Sequence, residues 1–209
     1  MGAIIGGLYA SGYSGNQIDS IFKETNFETL LSDFIPRSSK NFYEKRNDET
    51  YALTLPFNKM KIGVPPAFSK ALSVYALLAK LTTNVRYERD FNQLPIPFLC
   101  VATNIETGAP VILNKGNLPQ AILASAALPS LFSPVIINDV VLVDGGVANN
   151  YPIEEVRKLG AEIIIGVDVQ DSLKTRKDLK DATRILIQIS NMGMIEKMED
   201  KRKKTDIYI

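Results

Sequence analysis

Apolar and polar positions fall in blocks along this chain, and one block dominates the pattern. Residues 140–143 form an unbroken apolar run of strand length that stops at Asp144, and Gly145 and Gly146 follow it. This pattern delivers one carboxylate to the end of a strand. The paired glycines keep side chains away from Asp144 and open backbone angles closed to other residues, so the acid can stand at the rim of a site. The same residues also suit an ordinary acid in a tight turn.

The blocks on either side predict alternating helices and strands. Residues 1–12 are rich in small side chains and read as a helix ending at Gly12. Each of Gly2, Gly6 and Gly7 costs such a helix about 1 kcal/mol relative to alanine, so close approach to a neighbouring backbone is expected to compensate. Ser14 caps a second helix whose Ile18, Ile21 and Phe22 share one face. Residues 36–49 read as a solvated connection, and 51–55 with 59–64 as a hairpin. Pro65 and Pro66 start a helix to about Lys80, with Phe68, Leu72, Tyr75 and Leu78 on its core side.

Strands are expected at 96–103 and 109–114, then a helix at 118–127 stopped before Pro129. Residues 135–137 and 140–143 flank a hairpin turn at Asn138 and Asp139. Asn150 caps a further helix, with Pro152 in its first turn and Gly160 past its end. A second fully apolar strand covers 161–169, a long helix 182–199, and a last strand 205–209. The fold class read from this alternation is α/β, with a mainly parallel central sheet covered by helices on both faces.

Composition narrows the chemistry. The length of 209 residues with 45% hydrophobic content suits a single domain. With 24 basic and 23 acidic residues the net charge is +1, which gives no general attraction to nucleic acid or to an anionic membrane. The basic stretch 174–180 is mixed with acids and lacks aromatic interleaving, so it reads as a solvated loop. Cys100, the sole cysteine, sits in the apolar run 96–102 and reads as a small buried hydrophobe; an internal disulfide is excluded. No apolar run is long enough to span a bilayer, and residues 1–12 lack the basic start and cleavage site of a signal peptide.

The chain contains 0 histidines, which removes the Ser-His-Asp triad and the Cys-His pair, and with them most catalytic zinc sites. Hydrolytic chemistry must therefore use another base. Ser20 and Lys23 match a Ser-x-x-Lys spacing, but inside an amphipathic helix and without companion motifs. Residues 12–16 nearly form a Gly-x-Ser-x-Gly elbow, with Asn16 in the last place. Neither Gly-x-Gly-x-x-Gly nor a phosphate-loop pattern occurs, which sets aside nucleotide binding.

From Asp144 outward the chain resembles the patatin-like phospholipase family, whose catalytic acid lies in Asp-Gly-Gly or Asp-Gly-Ala. Residues 124–135 resemble the segment that precedes this acid in bacterial members, and residues 149–153 and 159–169 the segments that follow. Pro95 to Phe98, with Ala102-Thr103-Asn104 and Thr107-Gly108, is similar to an earlier strand pair. The resemblance implies a three-layer α/β sandwich and cleavage of lipid acyl esters by a Ser-Asp dyad with Asp144 as base. Gly145, Gly146 and Gly2 would support the motif, and no metal or cofactor is implied.

Residues 1–10 are similar to the tail of the family's Gly-x-Ser-x-Gly motif and the helix after it. Met1 and Gly2 would supply the final x-Gly, so the nucleophilic serine is expected immediately before Met1, after a first strand and a Gly-rich oxyanion loop. Residues 204–209 resemble an internal family strand. The expected partner is a lipid or acyl-ester substrate, with peripheral membrane contact and no nucleic acid; oligomeric state is not indicated. Two readings follow: an incomplete hydrolase with little serine-dependent activity of its own, or a non-catalytic patatin-fold binding module. Ser11, Ser14 and Ser125 are the in-chain substitutes for the serine, and none has a strand-turn-helix setting.

Overall fold

The computed structural model describes residues 1–27, 30, 57–58, 61–62, 69–129, 131–169, 173–175, 177–179 and 182–209. Helix α1 (Gly2–Ala10) ends as expected: Gly12 takes φ +102° just past it, and its N–H returns to Tyr9 O. Gly6 and Gly7 of α1 face side chains, where a neighbouring backbone is expected. A Cβ on Gly7 would stand 2.3 Å from Ile122 Cδ1, and one on Gly6 would stand 3.2 Å from the Phe98 ring. Helix α2 (Gly15–Glu24) opens with a reciprocal box in which the Gln17 N–H donates to Ser14 Oγ and Gln17 Oε1 accepts from the Ser14 N–H.

Of the expected hairpin, β1 (Phe57–Asn58) pairs antiparallel with β2 (Lys61–Ile62), Phe57 opposite Ile62, while 51–55, 59–60 and 63–64 fall outside the described residues. The expected connection 36–49 also falls outside them. Helix α3 begins at Leu72 and runs to Leu81, later than the two prolines suggested. Ser69 explains the delay. Its N–H and C=O bond Leu131 O and the Ser133 N–H across a bridge to Phe132, and Ala71 then turns through φ +57°. The later start also shifts the buried stripe to Val74 and Leu78, leaving Leu72 and Tyr75 exposed.

Four strands form one sheet in the order β4-β3-β6-β5: β3 (Cys100–Asn104), β4 (Pro110–Leu113), β5 (Val135–Ile137) and β6 (Val140–Asp144). Every pairing in it is antiparallel, which corrects the expectation of a mainly parallel sheet among the described strands. Short connections are the reason for β3–β4 and β5–β6, since a parallel neighbour needs a crossover of roughly a dozen residues or more. β3 reaches β4 through residues 105–109, and β5 reaches β6 through Asn138 and Asp139, both at positive φ as a type I′ turn requires. Helix α4 (Leu118–Ser125) joins β4 to β5, opposite edges of the sheet, and packs across β3 and β6 with α1 and α3 against it. Ile122 and Ala124 of α4, Phe91, Ala102 and Leu142 lie at the centre of this core.

Beyond Asp144 the chain makes a short helix α5 (Gly146–Asn149), then α6 (Ile153–Lys158). Asn150 closes the first of these; it does not cap the second, whose N-cap is Pro152. Strand β7 is confined to Ile165–Gly166 and pairs parallel with β8 (Ile207–Tyr208). It is half-buried, not fully buried: Ile164 packs with Tyr151, Ile153 and Met198, while Ile163, Ile165 and Val167 are exposed. Helix α7 (Ala182–Lys203) docks on α5, where Lys201 Nζ donates to Asn149 Oδ1. Among the described residues no helix is long and apolar enough to cross a membrane.

Candidate active site

Asp144 is the last residue of β6, opposite Ala102 of the central strand β3. Three of its polar atoms are held. Its N–H donates to Ala127 O at 2.9 Å, its C=O accepts from Thr103 Oγ1 at 2.8 Å, and its carboxylate Oδ1 accepts from the Gly146 N–H at 2.6 Å. The Thr103 hydroxyl is itself accepting from the Ala148 N–H at 3.2 Å, so one buried side chain links β3, β6 and the start of α5. The sequence pattern marks Thr103 only as part of a strand. The available signal was a hydroxyl inside a run of otherwise apolar strand positions, which must find partners once buried.

The glycines after the acid serve a different purpose from the one expected. Gly145 sits at φ −66°, ψ −23°, and Gly146 opens a helix, so both take backbone angles that any residue adopts. What they supply is space. A Cβ on Gly145 would lie 1.9 Å from Val101 O, and one on Gly146 would lie 2.8 Å from Asp144 Oδ1. The turn after β6 is thus pressed directly against the backbone of β3, with the Gly145 N–H donating to Ser125 O at 3.3 Å. Gly2 is unlike these two, since nothing lies within 4 Å of a Cβ there.

Burial pushes the Asp144 carboxyl up from its ordinary 3.8, against the opposing pulls of the Gly146 N–H and of the positive amino group of Met1. The opening of α1 carries no side-chain cap and no acid in its first turn.

The in-chain serines are committed elsewhere. Ser11 is buried and donates to Gly7 O at 2.7 Å, Ser14 forms the box that starts α2, and Ser125 donates to Val101 O at 2.6 Å. Cys100 is buried with its thiol pushed up to about 12 by desolvation, in accord with a structural role. Among the described residues no group of three or more Asp, Glu, Cys or His side chains converges.

Among the described residues, helices pack on a four-stranded sheet that presents the Asp144 carboxylate at the end of β6. The chain belongs to the patatin-like phospholipase family, whose family model matches residues 1–157. It is similar to an uncharacterized NTE family protein of Mycobacterium tuberculosis, with 35% identity over 80 residues, covering 38% of this chain and 22% of that protein. It is also similar to lysophospholipase NTE1 of Candida albicans, with 29% identity over 174 residues, 81% of this chain and 10% of that protein. A third relative is patatin-like phospholipase domain-containing protein 7 of the mouse, with 28% identity over 119 residues, 56% of this chain and 8% of that protein. The chain thus spans under a quarter of the length of each of these relatives.

Proposed function

We propose that these 209 residues are the greater part of one patatin-like domain that hydrolyses lipid acyl esters, with Asp144 as the base of a Ser-Asp dyad. The nucleophilic serine is contributed from outside these residues, adjoining Met1. A carboxylate in direct contact with a serine hydroxyl needs no histidine between them, which suits a chain that has none. Asp144 takes the serine proton as the serine oxygen attacks the acyl carbonyl. The charge that develops on the carbonyl oxygen faces the uncapped N–H groups and positive end of α1. The leaving alcohol departs with that proton, and Asp144 then deprotonates the water that frees the fatty acid.

The observation that carries this reading is the Asp144 carboxylate standing at the end of β6, in a chain whose residues 1–157 match the family model. The lysophospholipase name of a relative supports a lipid ester as the substrate class. A fluorophosphonate probe tests it on two proteins: the 209-residue chain, and the same chain extended by the codons in frame before Met1. Labelling is expected only in the extended protein, on the residue next to Met1, with lysophospholipid turnover lost in Asp144→Asn. Labelling of Ser11, Ser14 or Ser125, or unchanged turnover in Asp144→Asn, would overturn it.

A further inference from the structure

Helix α5 is a single turn of 4 residues, and it carries the Gly146 N–H that holds the Asp144 carboxylate. A helix this short does not fix its own position, since isolated helices below roughly 12–15 residues are marginal in water. Its place is set by what it touches. The front end is tied to β3, where the Ala148 N–H donates to Thr103 Oγ1 at 3.2 Å. The rear end is tied by the side chain of Asn149, which is spent in two directions. Its Oδ1 accepts from Lys201 Nζ of α7, and its Nδ2 donates to Glu155 Oε2 of α6 at 3.3 Å.

Lys201 opens a basic run, 201–204, at the end of α7, and its neighbours are engaged elsewhere. Arg202 lies over the Tyr208 ring at 4.1 Å, Lys203 pairs with Glu199 of its own helix at 3.5 Å, and Lys204 pairs with Glu154 of α6 at 2.9 Å. The Lys203 and Lys204 pairs are exposed, whereas the contact of Lys201 with Asn149 is half-buried. A half-buried bond from an ammonium outweighs a surface ion pair, many of which contribute nothing measurable. Helix α7 also lies beyond residue 157, where the match to the family model ends.

We propose that Lys201 is a positioning residue for the candidate base: through Asn149 it fixes the rear of α5, and α5 then keeps the Gly146 N–H on the Asp144 carboxylate. The inference rests on the reading above that Asp144 is the base. Holding one carboxylate oxygen fixes the direction of the other, and proton transfer depends on that direction. The same N–H favours the charged form of the acid against burial. If the rear of α5 is released, the N–H draws back, and the acid loses its orientation and titrates higher. Among the described residues the charged group felt by Asp144 is the Met1 amino group, which no change on α5 or α7 alters. Around Lys201 itself stand Glu154 and Glu155 of α6, with Asp200 and Lys204 beside it in sequence.

Two substitutions release α5 from opposite sides. Lys201→Met removes the donor, and Asn149→Ala removes the acceptor while leaving every charge in place. In the 209-residue chain, NMR of the isotope-labelled Asp144 carboxyl carbon is expected to show each variant titrating roughly half a unit to one unit above the parent, the equivalent of one lost hydrogen bond. In the extended protein the acid limb of kcat/KM should rise by the same amount, and kcat should fall roughly tenfold with KM within about twofold. The double variant should be no worse than either single, because both cut one link. Lys204→Met, which cuts the exposed pair to Glu154, should move none of these readouts. Should Lys201→Met fail to fold, Asn149→Ala carries each measurement.

A Lys201 that merely braced α7 would lower Tm and leave the titration and the acid limb where they are, and that result would overturn the proposal. Effects of Lys201→Met and Asn149→Ala that add in the double variant, or that Lys204→Met reproduces, would overturn it too. The two proposals fail separately. If Asp144→Asn leaves turnover by the extended protein intact while the carboxyl titration moves as described, the base assignment falls and the coupling through α5 stands. If Asp144→Asn abolishes turnover while neither α5 release moves the titration, the coupling alone falls.

Discussion

Gly145→Ala is the substitution for which local and tertiary reasoning give opposite signs. The residue has helical φ and ψ, so by backbone entropy alone alanine should stabilise by up to about 1 kcal/mol. The added Cβ, however, would stand 1.9 Å from Val101 O and 2.6 Å from Val101 C. A carbon needs roughly 3.3 Å from a carbonyl oxygen, so the turn must retreat from β3 by about 1.4 Å. Both partners are main chain, and no rotamer change can absorb the shift. A retreat of that size stretches the 2.8 Å bond from Thr103 Oγ1 to Asp144 O beyond hydrogen-bond range.

Overpacking of this kind costs about 1–3 kcal/mol and the lost hydrogen bond about 1 more, which outweighs the entropy gain and leaves a net loss of about 2 kcal/mol. For a chain of this length that is a fall in Tm of about 4–8 °C. Thermal and urea unfolding followed by circular dichroism measure it. A midpoint equal to or above that of the parent would refute the claim that the turn is pressed against β3.

Gly146→Ala should behave differently, because its Cβ meets only the side-chain oxygens of Asp144 and Asn150, which can rotate away; a stability change under about 1 kcal/mol is expected with a marked loss of turnover in the extended protein. Thr103→Val removes the donor to Asp144 O and strands the Ala148 N–H, so about 2 kcal/mol should be lost in urea unfolding. Asp144→Asn keeps an oxygen for the Gly146 N–H and removes a charge the fold resists burying. Because the folded carboxyl titrates above the ordinary 3.8, its contribution to stability is fully present below that value and is lost as pH rises through the folded one. The variant should therefore match the parent near pH 3 and exceed it in Tm near pH 7, and in the extended protein the acid limb of kcat/KM should lie above 3.8. Gly2→Ala, with open space around its Cβ, should raise stability by about 0.5 kcal/mol in thermal unfolding.

Local chemistry settled much of this molecule before any contact formed. The box at Ser14 and Gln17, the turn at Asn138 and Asp139 and the stop at Gly12 each depend on a few adjacent residues, and each stands where the chain's own pattern puts it. The strand ending in Asp144 was legible for the same reason: an unbroken apolar run closed by an acid and glycines. Sheet direction was not legible, because strand pairing is a choice among distant partners. A short connection turned β3–β4 antiparallel where block alternation suggested a crossover, while the β5–β6 hairpin follows its turn signal. The stripe on α3 moved for a related reason, since a bridge from Ser69 to Phe132 decides where that helix can begin.

At the site, the sequence named the acid, and only the tertiary structure assigned the residues around it. Gly145 is needed for the carbonyl of Val101, and Thr103 for the carbonyl of Asp144. Each of these couplings joins residues some forty or more positions apart, where periodicity and spacing carry no information. They exist because burying β3 and β6 side by side leaves polar backbone that something nearby must satisfy, and space that no side chain can share.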